Sequence, residues 1–518
     1  MANWRSFGDR MMHCHLSMLK IWCNCSNPAR FHTSGAGGGG GGGGGLLLGG
    51  GCFKNAAAYL PIRRSSSSPS VSTRSLTSPL LMLPPKTVVC DHNNSSEKYD
   101  GDGHYCFHFF NLCEQSQFRV RKNLSVPWQR DVLMPDDARC VGSSHGWLAF
   151  NHPRNCHSYL YNPLIDSPHF PYIALPSVET IHSVRAVRNL KADQLSPSPT
   201  PITQFLILIH ENYDFNADRY EVQLSSKGAC NYFVRRVVMS SAPSVPCYSS
   251  SLSTPQLDGG NSGDNCTIMA LHSASDDIAF CKPGDDRWTV LDVSLRAYSD
   301  ITYFSKDQRF YAMRGDYSME AWDLREPSCP KQQVFNRPDF CHGKVQNKIR
   351  ESYNWAQRDY LVESSGDLLL VCRFLARNID EDDVVHPRRL EERAVKDNIN
   401  DEEWENNFIH DDDAYWTLGF DVHKFDSDHK KWEPVECLGD RALFVGSNHS
   451  FSLSARDYPE LAGNSIYVAD DYFRGFNDTY RGHDNGVFHI ENNCMKPYYP
   501  NRLKIIDPIP VWVAPNTM

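Results

Sequence analysis

Short apolar segments separated by Gly, Pro, Asp or Asn recur through most of this chain. Strands of four to six residues with turns roughly every ten residues are typical of antiparallel all-β proteins. The clearest run occupies the segments 277–280, 288–293, 301–304, 310–313 and 319–323. Similar segments follow at 360–362, 368–374, 415–425, 432–437, 442–445, 465–468 and 486–490. The pattern therefore predicts an all-β fold with few helices.

The length of this pattern favours a β-propeller. Four strands in roughly 40–50 residues is the period of a propeller blade, so residues 100–515 are expected to form roughly six to eight four-stranded blades. A pair of β-sandwiches would use the same hairpins without the radial repeat, and is the alternative architecture. Four tryptophans at strand positions are expected to fill gaps between blades: Trp147, Trp288, Trp322 and Trp432.

Three segments interrupt the strand pattern. Residues 195–201 and 240–263 are rich in Ser, Pro and Gly and are expected to be surface loops. Residues 377–413 are highly charged and end near the acidic triplet 411–413. We interpret them as an acidic, solvated insertion between blades, either uninvolved in function or a surface for a partner.

The first 90 residues have a different composition from the rest. They contain nine Lys or Arg and a single acid, Asp9, together with a glycine run at 37–45 and a serine-rich tract at 63–78. Such a segment buries too little apolar surface to fold. A basic, Ser-rich and nearly acid-free leader is typical of an organellar transit peptide, so we predict a disordered leader directed to a mitochondrion or plastid. A disordered tail without a targeting role is the alternative.

Charge and cysteine usage exclude several classes of protein. The chain carries a net charge of −10, and since the first 90 residues carry +8, the remainder carries −18. This balance argues against a general nucleic-acid or anionic-membrane binder. Apolar runs such as 205–209 are far shorter than the roughly 20 residues of a membrane span. The 18 cysteines include no Cys-x-x-Cys pair, and most are interpreted as reduced.

Several motifs resemble catalytic or metal sites, but turns, strands and ordinary polar side chains explain them better. Residues 142–146 match Gly-x-Ser-x-Gly with Ser144 as nucleophile, but that elbow needs a following helix, and residues 147–150 predict a strand. His104, Cys106 and His108 would share one strand face, where exposed or satisfied histidines are expected rather than metal ligands. Residues 100–103 hold two aspartates, too few for a calcium loop, and the glycine run lacks the Lys of a P-loop. We therefore predict no enzyme activity, catalytic residue, cofactor or metal.

Several phrases, taken in order, resemble the plant KIB-type β-propeller family. They are Gly142-Ser-Ser-His-Gly-Trp-Leu148, Leu160-Tyr-Asn-Pro163, Tyr360-Leu-Val-Glu-Ser-Ser-Gly-Asp-Leu-Leu369, Leu438-Gly-Asp-Arg-Ala-Leu-Phe-Val-Gly446 and Asn464-Ser-Ile-Tyr-Val468. The resemblance spans roughly residues 105–515 and implies a propeller. The family includes many F-box proteins, whose helical module precedes the propeller, and an organelle-targeted branch. Here Leu81-Met-Leu-Pro84 is only an isolated echo of an F-box.

The resemblance and the leader together imply a non-enzymatic protein-interaction module that is imported into an organelle. Its partner is expected to be a protein, with no nucleic acid and no membrane span. The alternative is an F-box-like substrate receptor of an SCF-type ubiquitin ligase in the cytoplasm or nucleus, with a degenerate F-box in residues 1–90 and a Skp-type adaptor as partner. A third hypothesis is an enzyme that uses the propeller channel.

Overall fold

The structure is a computed structural model, and it is described for the parts of the chain that follow. These are residues 78–83, 105–122, 139–152, 156–165, 172–188, 202–210, 219–225, 229–230, 233–243, 266–272, 277–291, 298–335, 339–340, 343–345, 355–377, 415–472, 482–498, 506 and 509–514. No helix within these ranges has both the length and the apolar character that a membrane crossing requires.

The described residues form seven sheets, which we number in chain order. Sheet 1 has the order β29-β1-β2-β3, with β1 (Leu80–Leu83), β2 (Tyr105–Asn111), β3 (Ser116–Lys122) and β29 (Val511–Val513). Sheet 2 contains β4 (Arg139–Ser144), β5 (Trp147–Asn151), β6 (Ser158–Tyr161) and β7 (Tyr172–Ala174) in sequence order. A 3-10 turn (Val178–Thr180) leads to sheet 3, which has the order β10-β9-β8 and contains β8 (Val184–Arg188), β9 (Ile202–His210) and β10 (Arg219–Ser225).

Sheets 4 and 5 are antiparallel meanders of four strands. Sheet 4 contains β11 (Val234–Met239), β12 (Ile268–His272), β13 (Asp277–Cys281) and β14 (Thr289–Val290). Sheet 5 contains β15 (Tyr298–Phe304), β16 (Arg309–Arg314), β17 (Met319–Asp323) and β18 (Lys331–Phe335).

Sheets 6 and 7 have five strands each. Sheet 6 has the order β19-β23-β22-β21-β20, with β19 (Asp339–Phe340), β20 (Trp355–Ser364), β21 (Asp367–Arg377), β22 (Tyr415–Asp426) and β23 (Lys431–Val435). Sheet 7 has the order β25-β24-β26-β27-β28, with β24 (Arg441–Val445), β25 (Phe451–Ser454), β26 (Ser465–Val468), β27 (Gly486–His489) and β28 (Cys494–Pro497).

Apolar clusters between successive sheets close these elements into a ring. Separate buried clusters join sheets 1 and 2, sheets 2, 3 and 4, sheets 4 and 5, sheets 5 and 6, sheets 6 and 7, and sheets 7 and 1. Each sheet contributes alternate side chains to both of its neighbours, because successive residues of a strand point to opposite faces. The predicted all-β propeller is confirmed, and the alternative of two sandwiches is wrong.

Sheet 3 does not interrupt the innermost layer of the ring. The backbone N–H of Met239 in β11 donates to Ser144 Oγ of β4 at 3.2 Å, so sheets 2 and 4 meet directly at their inner strands. Sheet 3 instead packs against both through Phe205, Ile207 and Leu224. The ring therefore has six inner strands, β29, β4, β11, β15, β20 and β25, with a three-stranded sheet wedged between sheets 2 and 4.

The predicted tryptophan positions are confirmed as core. Trp147 and Trp288 lie in the cluster among sheets 2, 3 and 4, Trp322 lies between sheets 4 and 5, and Trp432 between sheets 5 and 6. All four are at most 4% exposed.

Both ends of the described chain meet in sheet 1. Strand β1 lies between β29 and β2, pairing Leu81 with Trp512 on one side and with Phe110 on the other. A leader that extends to residue 90 is therefore too long, because residues 80–83 form a buried strand of the propeller. The rest of the predicted leader, residues 1–77 and 84–90, lies outside the described residues.

The acidic insertion belongs within one blade rather than between two. Strands β21 and β22, which flank it, are adjacent in sheet 6, and Arg377 pairs with Tyr415. Residue 377 is thus the end of β21, and residues 378–413 lie outside the described part of the chain, as do the predicted loops at 195–201 and 244–263.

Candidate functional site

Protein fills the ring axis. Residues 446–450, between β24 and β25, run along the axis beside β4, with Asn448 fully buried. Arg236 of β11 donates from Nη2 to Gly446 O at 2.9 Å and from Nη1 to Asn448 O. In the ring of six inner strands, β11 of sheet 4 lies opposite β25 of sheet 7. The contacts of Arg236 with residues 446 and 448 therefore span the axis. On the other side, a Cβ on Gly142 would lie only 2.9 Å from Ser447 O, which explains why glycine occupies this position.

Charged side chains cluster beside this filled centre. We call Arg235, Arg236 and Arg358, with Asp300 and Asp471, the arginine end of the axis. Arg236 Nε lies 2.8 Å from Asp300 Oδ1, and Asp471 lies 3.3 Å from Arg358 and 3.8 Å from Arg236. The two aspartates are almost inaccessible to solvent, whereas the Arg358 side chain is 29% exposed.

Hydrogen bonds hold the two aspartates in place. Asp300 accepts the backbone N–H groups of Ile301 and Leu361 at 2.8 and 2.7 Å, and Asp471 accepts the Tyr360 hydroxyl at 2.6 Å. Burial acts to raise the pKa of Asp471, but Arg358 and Arg236 outweigh it, so that this pKa is lowered. Asp471 is therefore a carboxylate at neutral pH and offsets part of the arginine charge.

The surroundings shift the pKa values of Arg235 and Arg358 in opposite directions. Burial, followed by the nearby Arg358 and Arg236, lowers the pKa of Arg235 to about 9. For Arg358 burial is the largest cause and acts in the same direction, but Asp471, Tyr360 and Asp300 together outweigh it, so its pKa is raised. Arg235, which is half-buried in β11, therefore holds its proton less tightly than an ordinary arginine.

A second ionic cluster supports the first from within the protein. Arg373 of β21 is fully buried; Asp470 lies 3.0 Å from its Nη1 and Asp484 2.9 Å from its Nη2. Its Nε donates to Thr417 Oγ1 at 2.9 Å, and the Tyr415 hydroxyl donates to Asp470 at 2.7 Å. This cluster joins sheets 6 and 7, and it orients Asp471 through the neighbouring Asp470.

Two histidines lie close to this filled centre, and one of them, His449, belongs to the segment 446–450 itself. Ser144 Oγ is 3.0 Å from Nδ1 of both His145 and His449, and His449 Nε2 is 3.1 Å from Thr302 Oγ1. Burial lowers the pKa of His145 to about 4, and burial, His145 and Arg236 lower that of His449 well below its ordinary value. Both imidazoles are therefore neutral at physiological pH.

The structure gives Ser144 a structural role. Strand β4 ends at Ser144, and β5 begins after a two-residue turn in which His145 and Gly146 have φ values of 50° and 77°. This is a hairpin turn with both central residues left-handed, not the strand-to-helix elbow of a hydrolase. Ser144 is 4% exposed and its Oγ already accepts the Met239 N–H. The predicted turn followed by a strand is confirmed.

The other residues considered from the sequence are not brought together by the described structure. His104 and residues 100–103 lie outside the described residues; Cys106 and His108 belong to β2, where His108 is buried. Within the described ranges no group of three or more His, Cys, Asp or Glu side chains is arranged to hold a metal.

Sequence reasoning missed the arginine end. The signal was present as two like-charged pairs in apolar surroundings: Arg235–Arg236 within β11, and Asp470–Asp471 directly after β26. Such charges are seldom buried unless they are paired. Their distance of more than 230 residues along the chain concealed the partnership.

Comparisons with known proteins agree with this architecture. The chain is 25% identical over 260 residues to the F-box protein SKIP23 of Arabidopsis thaliana, covering 49% of this chain and 54% of that protein. It is 26% identical over 263 residues to a second Arabidopsis thaliana F-box protein, covering 49% of this chain and 57% of that protein. The chain thus spans about half the length of the curated relatives that it matches.

Among solved structures, the major allergen Mala s 1 of Malassezia sympodialis matches 74% of this chain and 94% of its own. It is 10% identical with a TM-score of 0.21.

The family model matches more than half of the chain. The KIB1-4 beta-propeller model matches residues 109–489, from β2 to the end of β27. This range includes all the residues of the arginine end together with His145 and His449, and it confirms the resemblance seen in the sequence. The chain therefore belongs to the KIB1-4 beta-propeller family.

Proposed function

We propose that this chain is a non-enzymatic propeller that binds a protein partner and is imported into a mitochondrion or plastid. The observation that carries the binding role is the ring itself, whose axis is filled by residues 446–450 and Arg236. A filled axis leaves the ends of the ring and its loops for contacts with partners, which is how propellers commonly bind. The basic, acid-poor composition of the first 77 residues supports import.

The second candidate is an F-box-like substrate receptor of an SCF-type ubiquitin ligase. It is favoured by the relatives, which are named F-box proteins. However, the isolated F-box echo at Leu81–Leu83 is the buried strand β1, so these residues are not available to grip an adaptor as a helix. This candidate therefore needs an adaptor-binding segment other than Leu81–Leu83.

Affinity capture of the C-terminally tagged full chain from plant tissue, with mass spectrometry, separates the two candidates. A tagged fusion of residues 1–77 alone serves as the control, because it identifies proteins that bind only the leader. We expect organellar proteins that the full chain retains and the leader alone does not. Recovery of a Skp-type adaptor together with a cullin would contradict the organellar proposal and establish the second candidate.

Import is tested by a fluorescent protein fused after residue 77. We expect the fusion to accumulate in an organelle, whereas a fusion in which the Lys and Arg residues of this segment are changed to Gln stays in the cytosol. A cytosolic signal from both fusions would contradict import.

A further inference from the structure

Ser144 holds two imidazoles through a single hydroxyl group. Its Oγ lies 3.0 Å from Nδ1 of His145 and 3.0 Å from Nδ1 of His449, and it accepts the backbone N–H of Met239 at 3.2 Å. A further contact follows, because His449 Nε2 lies 3.1 Å from Thr302 Oγ1. We call the four side chains, His145, Ser144, His449 and Thr302, the histidine chain. It joins the inner strands of sheets 2, 4 and 5 through the axis.

The hydroxyl group of Ser144 decides where the two rings hold their protons. A serine hydroxyl has one proton to donate and two lone pairs that accept. The Met239 N–H occupies one lone pair, so one proton and one lone pair are left for two Nδ1 atoms. One histidine must therefore accept the Ser144 proton at Nδ1, and the other must donate its own Nδ1–H to Ser144. If both Nδ1 atoms carried a proton, or neither did, one of the two contacts would be repulsive.

Two arrangements of protons satisfy this count. In the inward arrangement His145 donates to Ser144, Ser144 donates to His449 Nδ1, and the Nε2–H of His449 donates to Thr302, which is fully buried. In the outward arrangement each of these hydrogen bonds is reversed, so that Thr302 donates to His449 and Ser144 donates to His145. Both imidazoles keep some exposure, so protons from solvent can reach the chain.

Proton uptake by His145 is compatible with the inward arrangement alone. An imidazolium ion carries a proton on both ring nitrogens, so it donates and does not accept. Its Nδ1–H then occupies the remaining lone pair of Ser144, and the Ser144 proton goes to His449.

Neighbouring charge makes His145 the ring that takes up the proton. Arg236 of β11 pairs with Asp300 at 2.8 Å and with Asp471 at 3.8 Å. Burial, His145 and Arg236 all lower the pKa of His449, whereas burial is the cause that lowers the pKa of His145, to about 4. A proton taken up at acid pH therefore goes to His145 rather than to His449.

We propose that the histidine chain is a proton-sensitive switch, in which one of His145 and His449 carries a proton at Nδ1 and the other does not, and a proton on His145 locks the chain in the inward arrangement. This inference does not depend on the proposed protein-binding function. Because the contacts run from the turn after β4 to β15, a proton added at His145 sets the direction of the hydrogen bond at Thr302.

Nitrogen-15 NMR of the full chain, labelled only in histidine, tests the positions of the protons. Protonated and unprotonated ring nitrogens differ in chemical shift, and the signals lost in His145→Asn and in His449→Gln assign the two rings. At neutral pH we expect a protonated Nδ1 on one ring and an unprotonated Nδ1 on the other. On acidification His145 should gain its second proton while Nδ1 of His449 stays unprotonated.

Two outcomes of this measurement would overturn the proposal. One is the same tautomer on both rings at neutral pH, and the other is a protonated Nδ1 on His449 beside a doubly protonated His145. Neutron diffraction from crystals of the wild type at the same pH values locates these protons without any variant, so the test does not depend on the folding of His449→Gln.

Thr302 tests the coupling at a distance, because it is three hydrogen bonds away from His145 along the chain. Thr302→Val removes the acceptor that the inward arrangement needs for the Nε2–H of His449. We therefore expect the protonated fraction of His145 at a given acid pH to fall about tenfold, which corresponds to a pKa lower by about one pH unit. Thr302→Ser keeps the hydroxyl group and should titrate like the wild type.

His489 is the control histidine in these spectra, since its Nδ1 lies 3.0 Å from Ser465 Oγ in sheet 7. Its titration should be the same in the wild type and in both Thr302 variants. Equal titration of His145 in the wild type and in Thr302→Val would show that the chain is not coupled, and would overturn the switch.

Discussion

At the scale of single residues, the most consequential side chains are buried charges, each held by several partners. Arg373 is fully buried between Asp470 and Asp484, and together these three link sheets 6 and 7. A buried ion pair contributes little net stability when intact, because desolvation offsets its attraction. Removal of one partner is costly, since it leaves the other charge buried and uncompensated.

We expect Arg373→Leu to reduce the free energy of unfolding by about 3–5 kcal/mol, because Asp470 and Asp484 lose their cation. Urea denaturation followed by tryptophan fluorescence measures this change. Arg325→Leu is the control: Arg325 is 66% exposed and pairs with Asp323 at the surface. Ion pairs between exposed side chains contribute little to stability. Equal effects of the two substitutions would contradict the structural role of the Arg373 cluster.

His145 makes stability depend on pH. Burial lowers its pKa to about 4, so between that value and about 6.5 the unfolded chain binds a proton that the folded chain does not. The stability that neutral His145 contributes to the folded state is fully present above the unfolded pKa of about 6.5. It is lost as the pH falls from there to the folded pKa of about 4. Since asparagine tolerates the φ of 50° at this position, His145→Asn removes the titration without straining the turn.

We therefore expect wild-type stability to decrease faster than that of His145→Asn on acidification from pH 7 to 4.5. The difference should be about 1–3 kcal/mol, measured by urea denaturation at several pH values. Parallel stability curves for the two proteins would show that His145 titrates normally in the folded state.

At the scale of elements, strand β1 joins the two ends of the propeller. Its four apolar residues are at most 7% exposed, and it supplies both the pairing to β29 and the pairing to β2. Ser78, just before the strand, donates to Glu460 near sheet 7. A four-residue strand in the middle of a sheet is thus a structural requirement, although it lies more than 20 residues before β2.

A chain that begins at residue 78 should unfold with the same midpoint as the full chain, whereas a chain that begins at residue 91 should aggregate. Loss of β1 exposes apolar faces of sheets 1, 2 and 7, which destabilises the fold by about 1.5–3 kcal/mol for each side chain that is no longer buried.

Leu81→Ala tests the same strand by a milder change and should reduce the free energy of unfolding by about 2–5 kcal/mol. Differential scanning calorimetry distinguishes these cases; a well-folded chain from residue 91 would show that β1 is dispensable.

At the scale of the whole molecule, the ring behaves as one cooperative body because every sheet shares a core cluster with both neighbours. The reactivity of the free cysteine thiols can test this arrangement. Six of those described are buried and lie in several sheets, namely Cys140, Cys156, Cys230, Cys266, Cys281 and Cys372, while Cys113, Cys329 and Cys437 are exposed. Cys494 is disulfide-bonded.

We expect iodoacetamide to label the three exposed cysteines of the native protein quickly and the six buried ones only on unfolding. Burial also raises the pKa of Cys140 to about 12, which suppresses the reactive thiolate. With increasing urea, peptide mass spectrometry should show the six becoming reactive over one transition. Separate transitions for different sheets would contradict a single cooperative ring.

Local pattern was enough to predict much of the fold. The segments 319–323 and 465–468 coincide with β17 and β26, because alternating apolar residues bounded by turn residues specify a strand without help from distant contacts. Strand β1 was missed because four apolar residues beside Pro84 and Pro85 have no local partner, and only sheet 1 makes them a strand.

The amino-acid pattern alone determined the class of fold, the tryptophan core and the hairpin around Ser144, since each depends on neighbours within a few residues. Tertiary structure decided the ring closure by β1, the filled axis and the arginine end. These depend on contacts between residues far apart in the chain, such as Arg236 with Asn448 at a separation of 212. Side-chain alternation reveals which face of a strand is buried, but only closure of the ring decides which charges meet there.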